Sequence, residues 1–274
     1  MLLVPASASA GTVTAGTFTA APGEKNDVRY DAFGIPPITV TDLGAPLVVG
    51  SGCTAGAPVT CSYTASVVLN LGDRSDRGWA SATIAAIVHG DKGDDVIHAD
   101  AEEPEAYGGP GHDRIDVSGN QVRGSGGRGD DLIEGPFQSG VTVYFTGEEG
   151  DDTLIQRNYG GRHCTFEGGL GDDRLLSWGC TQRGGPGNDV MTRRLDDRFG
   201  GVMNGDEGND IMVGGREPDQ FDGGPGGDFI QAAADGVADT IVCGAGNDIV
   251  RANAVDEVAA DCENVTRVEP PPSA

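Results

Sequence analysis

Basic residues are scarce in this chain of 274 residues: 18 lysines and arginines face 43 aspartates and glutamates, and the net charge is −25. This balance excludes binding to nucleic acid through phosphate contacts and argues against docking on an anionic membrane surface, because both require positive charge. No apolar run approaches the roughly 20 residues of a membrane span. Hydrophobic residues make up 37% and aromatic residues 5%, a composition that disordered chains share. The carboxylates must therefore be neutralised before the chain becomes compact.

Catalytic signatures are missing as well. The sequence contains neither the H-E-x-x-H motif of a metalloprotease nor the G-x-S-x-G turn of a hydrolase. Its four histidines, His89, His98, His112 and His163, occupy variable positions of the sequence. Asp-Asp pairs such as Asp94-Asp95 could suggest acid–base catalysis, but their regular recurrence favours a structural lattice. We therefore predict that the chain is not an enzyme.

Glycine is abundant instead, with 46 residues, and it recurs in a fixed pattern. Nine segments align, among them GGPGHDRID from Gly108, GGRGDDLIE from Gly126 and GGLGDDRLL from Gly168. In all nine the fourth position is glycine and the eighth is aliphatic or methionine. The sixth position is always aspartate, at Asp95, Asp113, Asp131, Asp152, Asp173, Asp189, Asp210, Asp228 and Asp248. Nine matches at three positions establish an internal repeat of the form G-G-x-G-x-D-x-U-x.

This nonapeptide resembles the hemolysin-type (RTX) calcium-binding repeat, and the resemblance covers residues 90–251. It implies an all-β fold, a right-handed parallel β-roll or β-solenoid. It also implies Ca²⁺ bound by the nine aspartates and by glycine carbonyls, for which we name Gly108, Gly111, Gly126, Gly129, Gly184 and Gly187. Asp91, Glu148 and Asp206 depart from the pattern at the second position. A side chain there weakens the prediction of a glycine turn.

The spacing of the aspartates agrees with calcium between stacked turns. The steps are 18, 18, 21, 21, 16, 21, 18 and 20 residues, and 18 residues form one coil of two nonapeptides. Neighbouring strands lie about 4.7–4.9 Å apart, which matches the distance across a Ca²⁺ ion with oxygen ligands at roughly 2.3–2.6 Å. The opposite half of each coil, such as residues 117–125, lacks the motif. A metal-free solenoid with Asp/Gly turns is the alternative interpretation.

Six cysteines allow 15 pairings, and the sequence alone does not choose among them. Three pairs suggest themselves: Cys53 with Cys61, Cys164 with Cys180, and Cys243 with Cys262. Disulfides indicate an oxidising compartment. A zinc site is the competing interpretation, although no C-x-x-C pair is present. Ala8-Ser9-Ala10 has the A-x-A form of a signal-peptide cleavage site, and an ordinary N-terminus is the alternative.

We therefore predict a secreted, extracellular calcium-binding protein with a structural or adhesive role, whose protein or cell-surface partner is unknown. The alternative is a calcium-dependent folding module of a larger exported hydrolase. Segment 71–77, which includes Asp76, is interpreted as a decayed repeat. The predicted organisation is a signal-peptide remnant (1–10), an N-terminal β cap (11–88), the calcium-binding repeats (89–251), a short C-terminal cap (252–268) and a Pro-rich tail (269–274).

Overall fold

A computed structural model describes residues 10–33, 38–62, 64–135, 141–157, 163–194, 199–232 and 236–268. Nearly all of the predicted signal-peptide remnant and the Pro-rich tail lie outside these residues. The described chain folds into β-strands and turns without a helix, and so it contains no helix able to span a membrane. The all-β prediction is confirmed.

The strands are short and follow one another closely. The first seven are β1 (Gly11–Thr14), β2 (Thr17–Thr19), β3 (Asp27–Asp31), β4 (Ile38–Asp42), β5 (Leu47–Val49), β6 (Cys53–Thr54) and β7 (Val59–Cys61). Eleven more are β8 (Ser66–Asn70), β9 (Arg77–Ser81), β10 (Ala85–His89), β11 (Val96–Asp100), β12 (Glu103–Pro110), β13 (Arg114–Ser118), β14 (Gln121–Arg128), β15 (Leu132–Gly135), β16 (Thr142–Glu149), β17 (Thr153–Gln156) and β18 (His163–Leu170). The last are β19 (Arg174–Ser177), β20 (Thr181–Arg183), β21 (Val190–Arg193), β22 (Val202–Asn204), β23 (Ile211–Val213), β24 (Gln220–Gly226), β25 (Phe229–Gln231), β26 (Thr240–Gly246), β27 (Ile249–Ala252), β28 (Glu257–Val258) and β29 (Asn264–Arg267).

From β8 onward the strands alternate between two sheets, even-numbered strands in the first and odd-numbered strands in the second. Every strand in this region pairs in parallel with the equivalent strand of the next coil, which gives a parallel β-solenoid of about 10 turns. Strands β1 to β7 include the antiparallel pairs β1–β2, β3–β4, β4–β7 and β6–β7. They join the stack where β2 and β3 pair in parallel with β8 and β9.

Strand register follows the repeat spacing. Ile97 pairs with Ile115 and Ile115 with Ile133, each a step of 18 residues. Ile133 pairs with Leu154, a step of 21 residues, so the three additional residues leave the pairing in phase. They fall between the end of β15 and the start of β16, away from the repeat turns. This placement keeps each side chain on its own face of the sheet.

The core is a narrow apolar row between the two sheets. The eighth repeat positions face inward, as predicted, and each is at most 1% exposed: Ile97, Ile115, Ile133, Leu154, Leu175, Met191, Met212, Ile230 and Val250. Phe145 and Phe166 stack on the facing sheet with ring centroids 5.0 Å apart. Such a row buries few apolar atoms per residue, so the fold requires additional stabilisation.

Disulfides supply part of this additional stabilisation, and the three suggested cysteine pairs are confirmed. The Cα atoms are 3.9 Å apart for Cys53–Cys61, 4.8 Å for Cys164–Cys180 and 5.2 Å for Cys243–Cys262. The second pair joins neighbouring coils and the third joins the last repeat to the segment after it. A bridge that closes a loop of about 15 residues contributes on the order of 3 kcal/mol.

The glycine turns hold a side chain at the second position in three repeats, whereas the fourth position is glycine in all nine. Asp91, Glu148 and Asp206, at the second position, adopt φ of 69°, 84° and 68°. These repeats therefore keep the turn in the left-handed region despite their side chains. Fourth-position glycines reach larger values, such as 130° at Gly171, and a Cβ there would overlap the carbonyl oxygen of Gly150 in the preceding coil. Close stacking of the coils thus explains why this position is always glycine.

Substitution at Gly171 tests this explanation. We expect Gly171→Ala to destabilise the folded protein by about 1–3 kcal/mol, because alanine cannot adopt the required φ without strain. Asp91→Gly is the matched control at a second position. Glycine relieves the backbone strain there but loses more conformational entropy on folding, so we expect the free energy of unfolding to change by no more than about 1 kcal/mol. Thermal unfolding followed by circular dichroism measures both. Equal melting temperatures for Gly171→Ala and the unmodified protein would contradict the explanation.

Candidate calcium-binding edge

One edge of the solenoid is built by the turns that lead from each even-numbered strand to the next odd-numbered strand. We call it the aspartate edge. Each turn places its sixth-position aspartate directly before a strand, as Asp113 precedes Arg114 of β13, and turns the carboxylate inward. Asp76 occupies the same place before β9. The ten carboxylates, each at most 3% exposed, are Asp76, Asp95, Asp113, Asp131, Asp152, Asp173, Asp189, Asp210, Asp228 and Asp248.

A ladder of hydrogen bonds connects these residues. The amide of Asp95 donates to Oδ1 of Asp113 at 2.7 Å, and the amide of Asp113 donates to Oδ1 of Asp131 at 2.7 Å. The same bond recurs, at 2.7–2.8 Å, at each step from Asp76 to Asp248. Each carboxylate is therefore fixed by the coil before it. The sequence predicted the row of aspartates but gave no indication of this ladder.

The second oxygen of each carboxylate in this row has no hydrogen-bond partner among the residues that the structure describes. Oδ2 of all ten aspartates is buried and makes no hydrogen bond. An unsatisfied buried polar atom costs about 1–3 kcal/mol, and more when it is charged. Ten in one row fit a series of cation sites better than ten separate defects.

Backbone carbonyls converge on the same points. A Cβ atom at Gly108 would lie 2.5 Å from the carbonyl oxygen of Gly126 in the next coil and closer still to Oδ2 of Asp113. Glycine therefore leaves open a small space lined by a carboxylate and a carbonyl, at distances typical of calcium–oxygen bonds. The contact with Oδ2 recurs at Gly90, Gly108, Gly126, Gly147, Gly168, Gly184, Gly205 and Gly223.

The named carbonyls fall into two groups. The carbonyls of Gly108, Gly126 and Gly184 face the open spaces next to first-position glycines. The Gly108 carbonyl lies beside Gly90 and Asp95, the Gly126 carbonyl beside Gly108 and Asp113, and the Gly184 carbonyl beside Gly168 and Asp173. The carbonyls of Gly111, Gly129 and Gly187 instead lie against the fourth-position glycine of the next coil.

Burial raises the pKa of these aspartates, and neighbouring carboxylates add to the rise. The pKa of Asp95, Asp131 and Asp173 is raised to about 8. That of Asp113, Asp152 and Asp210 is raised to about 6, and that of Asp189 to about 7. The backbone hydrogen bond from the preceding coil opposes the rise in each case. Without a cation, many of these groups hold protons near neutral pH.

The donor set indicates which kind of ion fits. In the described ranges no cluster of three or more His, Cys, Asp or Glu side chains is arranged to hold a metal. An ion at this edge must therefore take main-chain oxygens in addition to carboxylates. Oxygen-only coordination with flexible geometry suits Ca²⁺, whereas zinc prefers nitrogen and sulfur ligands. All six cysteines are paired in three disulfides, so the interpretation of the cysteines as zinc ligands is wrong.

The fifth repeat position forms a second, exposed ladder. The amide of His112 donates to Oδ1 of Asp94 at 3.0 Å, and the amide of Asn188 donates to Oδ1 of Asp172 at 2.7 Å. This ladder runs in the opposite direction to the buried one. It gives the Asp-Asp pairs a structural role, in agreement with the expected lattice.

Buried aspartates also occur on the other edge of the solenoid, where the sequence contains no complete repeat motif. Asp219, Asp239 and Asp256 are 2%, 3% and 6% exposed. The opposite half of each coil lacks the full motif, as predicted, but in the C-terminal coils it keeps the buried aspartate. The available signal was the spacing, because Asp219 lies nine residues from both Asp210 and Asp228. It was obscured because Glu217 replaces the fourth-position glycine.

The histidines do not gather into a site. His89 stacks on Tyr107 with ring centroids 5.1 Å apart, and His98 stacks on Trp79 at 3.8 Å. Nδ1 of His112 accepts the amide of Asp130 at 2.9 Å. These contacts give three of the four histidines structural partners.

Comparison with known proteins agrees with this geometry. A family profile for the RTX calcium-binding nonapeptide repeat, in four copies, matches residues 87–103, 204–236 and 234–254. Repeats of the same form continue between these segments, from Asp113 to Asp189. No curated protein and no solved structure matches the chain significantly. The matched repeats and the parallel solenoid together show that the chain carries hemolysin-type (RTX) calcium-binding repeats, with Ca²⁺ as the ion of these repeats.

Proposed function

We propose that this chain is a secreted protein that folds when Ca²⁺ enters the aspartate edge, and that its role is structural or adhesive rather than catalytic. The observation that carries the proposal is the row of ten buried Oδ2 atoms without a partner. Calcium supplies the positive charge that these oxygens lack. Two positive charges between neighbouring coils convert a repulsive row of carboxylates into an attractive one.

The proposed ligands follow from the local geometry. The ladder holds Oδ1, so Oδ2 is already oriented toward the space beside the first-position glycine. The proposed set comprises the carboxylates of Asp95, Asp113, Asp131, Asp152, Asp173, Asp189, Asp210, Asp228 and Asp248 and, at these spaces, the carbonyls of Gly108, Gly126 and Gly184. The other carbonyls named from the sequence, those of Gly111, Gly129 and Gly187, lie against the fourth-position glycine of the next coil instead. Asp76 extends the row by one coil. About eight ions between nine turns would contribute roughly +16 against the net charge of −25.

Export is supported by the three disulfides, which persist in oxidising compartments. Outside the cell, calcium concentrations reach the millimolar range at which weak sites are filled. The chain would then remain unfolded during synthesis and fold after export. Folding driven by the ion is expected because the complete site exists only once the coils stack.

A structural or adhesive role is supported by the outer face of the second sheet. From β21 to β27 its outward residues carry no carboxylate, although the protein as a whole is acidic. Ile211 and Ile249 on this face are 43% and 47% exposed. A regular, partly apolar surface of this kind suits contact with another macromolecule.

The alternative is a folding module of a larger exported hydrolase. We favour a self-contained unit because β2 and β3, which precede the repeats, pair directly with β8 and β9 at the start of the parallel stack. We propose that residues 11–88 include this cap and that 252–268 form a smaller one. A hydrolase sequence found in continuous reading frame with this chain would favour the alternative.

Calcium-coupled folding is directly testable. We expect a calcium-free sample in EGTA to show little β-structure and a sample with millimolar Ca²⁺ to show the full strand signal, because the carboxylates repel one another without the ion. Circular dichroism during a calcium titration measures the transition, and Mg²⁺ at the same concentration is the control. Identical spectra in EGTA and calcium would contradict calcium-coupled folding.

The importance of the buried row is tested with two neighbouring residues of equal charge. Asp173→Asn keeps the Oδ1 acceptor but removes the charge, and we expect the calcium midpoint to rise about tenfold or more. Asp172→Asn makes the same change in the exposed ladder, and we expect a shift within about twofold. Asp248→Asn, at the end of the row, should have an intermediate effect. Similar midpoints for the Asp173 and Asp172 variants would argue against ligation by the buried row.

The pH dependence of the calcium-free protein follows from the raised pKa values. Folded carboxylates with a pKa of about 6–8 bind protons more tightly than the unfolded chain, whose aspartates titrate near 3.9. Their stabilisation is therefore present at low pH and is lost as the pH rises through about 6–8. We expect metal-free samples to show more strand signal near pH 5, where protons replace the absent charge, than near pH 8, as measured by circular dichroism. A strand signal that rises with pH without calcium would be incompatible with protonated ladder carboxylates.

A further inference from the structure

The edge opposite the aspartate edge carries a shorter row of carboxylates in the C-terminal coils. The amide of Asp219 donates to Oδ1 of Asp239 at 2.8 Å, and the amide of Asp239 donates to Oδ1 of Asp256 at 3.1 Å. The amide of Gly201, in the coil before, donates to Oδ1 of Asp219 at 3.0 Å. This arrangement repeats the ladder of the aspartate edge, so a Ca²⁺ ion would be the expected partner of Asp219.

Asp219 differs from the ladder aspartates because its carboxylate already has a cation. Oδ1 forms an ion pair with Nη1 of Arg193, and Oδ2 accepts the amide of Gly215 at 2.8 Å. The side chains of both members of the pair are at most 1% exposed. Burial raises the pKa of Asp219, while Arg193 and the two amides oppose that rise.

Arg193 occupies an unusual position for a charged residue. It ends β21 and pairs with Ser177 of β19, in the inward row that holds Ala99 and Val117 in earlier coils. It is the largest of the fully buried side chains. A residue of this size in a row of small residues extends out of the core, toward the edge.

On its own edge, the guanidinium group occupies the position that corresponds to the space for an ion at the aspartate edge. A Cβ atom at Gly201 would lie 2.6 Å from Nη1 of Arg193 and 2.7 Å from the carbonyl oxygen of Cys180. Nη2 of Arg193 donates to the carbonyl oxygen of Phe199 at 3.0 Å. This cation is therefore surrounded by a carboxylate and by backbone carbonyls beside a glycine. The same kinds of group line the spaces next to Gly108 and Gly168.

We propose that Arg193 is a built-in cation that takes, at the Asp219 turn, the place that calcium takes at the aspartate edge. This turn then requires no metal, and its two coils are joined by a charge that cannot be removed by a chelator. The comparison with calcium rests on the proposed function, whereas the ion pair itself does not.

Calcium stoichiometry tests the first part of this inference. Bound Ca²⁺ per chain is measured at saturation by equilibrium dialysis for the unmodified protein, Asp219→Asn and Asp173→Asn. We expect Asp219→Asn to bind as many ions as the unmodified protein and Asp173→Asn to bind fewer. Loss of one ion in Asp219→Asn would overturn the proposal, because Asp219 would then be a calcium ligand.

Melting temperatures in saturating calcium test the second part. We expect Arg193→Met to lower the melting temperature by roughly 10 °C, because Asp219 is left buried without its cation. Asp219→Asn alone should also lower it, and the double variant Arg193→Met/Asp219→Asn should melt above Arg193→Met. The pairing would be overturned if the double variant lost as much melting temperature as the two single variants together. It would also be overturned if Arg193→Met melted at the same temperature as the unmodified protein.

The two tests fail separately. If the unmodified protein binds no calcium, the proposed function is wrong, and the melting temperatures still report on the ion pair. If Arg193→Met does not fold, the remaining comparison between Asp219→Asn and the double variant decides: equal or higher stability of the double variant supports the pairing, and lower stability overturns it.

Discussion

A row of buried carboxylates, stacked one per coil, is the constraint on which the rest of this structure depends. Parallel pairing of the strands sets the distance between coils at about 4.7–4.9 Å, and the repeat places an aspartate at the same point of each coil. One oxygen of each carboxylate is held by an amide, and the other has no hydrogen-bond partner in the described part of the chain. The fold is therefore complete only when a cation or a proton is added. The close stacking also favours glycine at the first and fourth repeat positions, since a Cβ would meet the carboxylate at the first and the neighbouring backbone at the fourth.

The thin core explains why the fold depends on this edge. The inward row becomes polar in three successive coils, where Gln156, Ser177 and Arg193 replace small apolar residues. Gln182, on the facing sheet, is also fully buried. The Cys164–Cys180 disulfide joins neighbouring coils in this same region. A covalent link thus reinforces the solenoid where apolar burial contributes least.

The sequence predicted those features that repeat, and it missed those that depend on orientation. The nine-fold repeat predicted the inward row that contains Ile115 and Met191, and the family resemblance it carries implied the parallel solenoid. The positions of the cysteines suggested the Cys164–Cys180 and Cys243–Cys262 pairs without excluding other pairings. The amide-to-carboxylate ladder could not be predicted, because it depends on which oxygen of Asp113 faces the preceding coil. Nor did the pattern indicate that Asp91 would accept a φ of 69°, since tolerance there depends on the space between two particular coils. A single Arg–Asp pair such as Arg193–Asp219 has no repeat to reveal it.

Calcium and arginine neutralise a buried carboxylate at different structural cost, and this difference explains why the two edges differ. An ion requires only the absence of a Cβ, so it suits every coil of a regular solenoid. A guanidinium group requires an inward position of its own and additional room, which Gly179 and Gly201 provide beside Arg193. Repetition of that arrangement in each coil would replace the apolar row that holds the sheets together. The regular edge therefore depends on a removable cation, and a permanent one is confined to the place where the core is already interrupted.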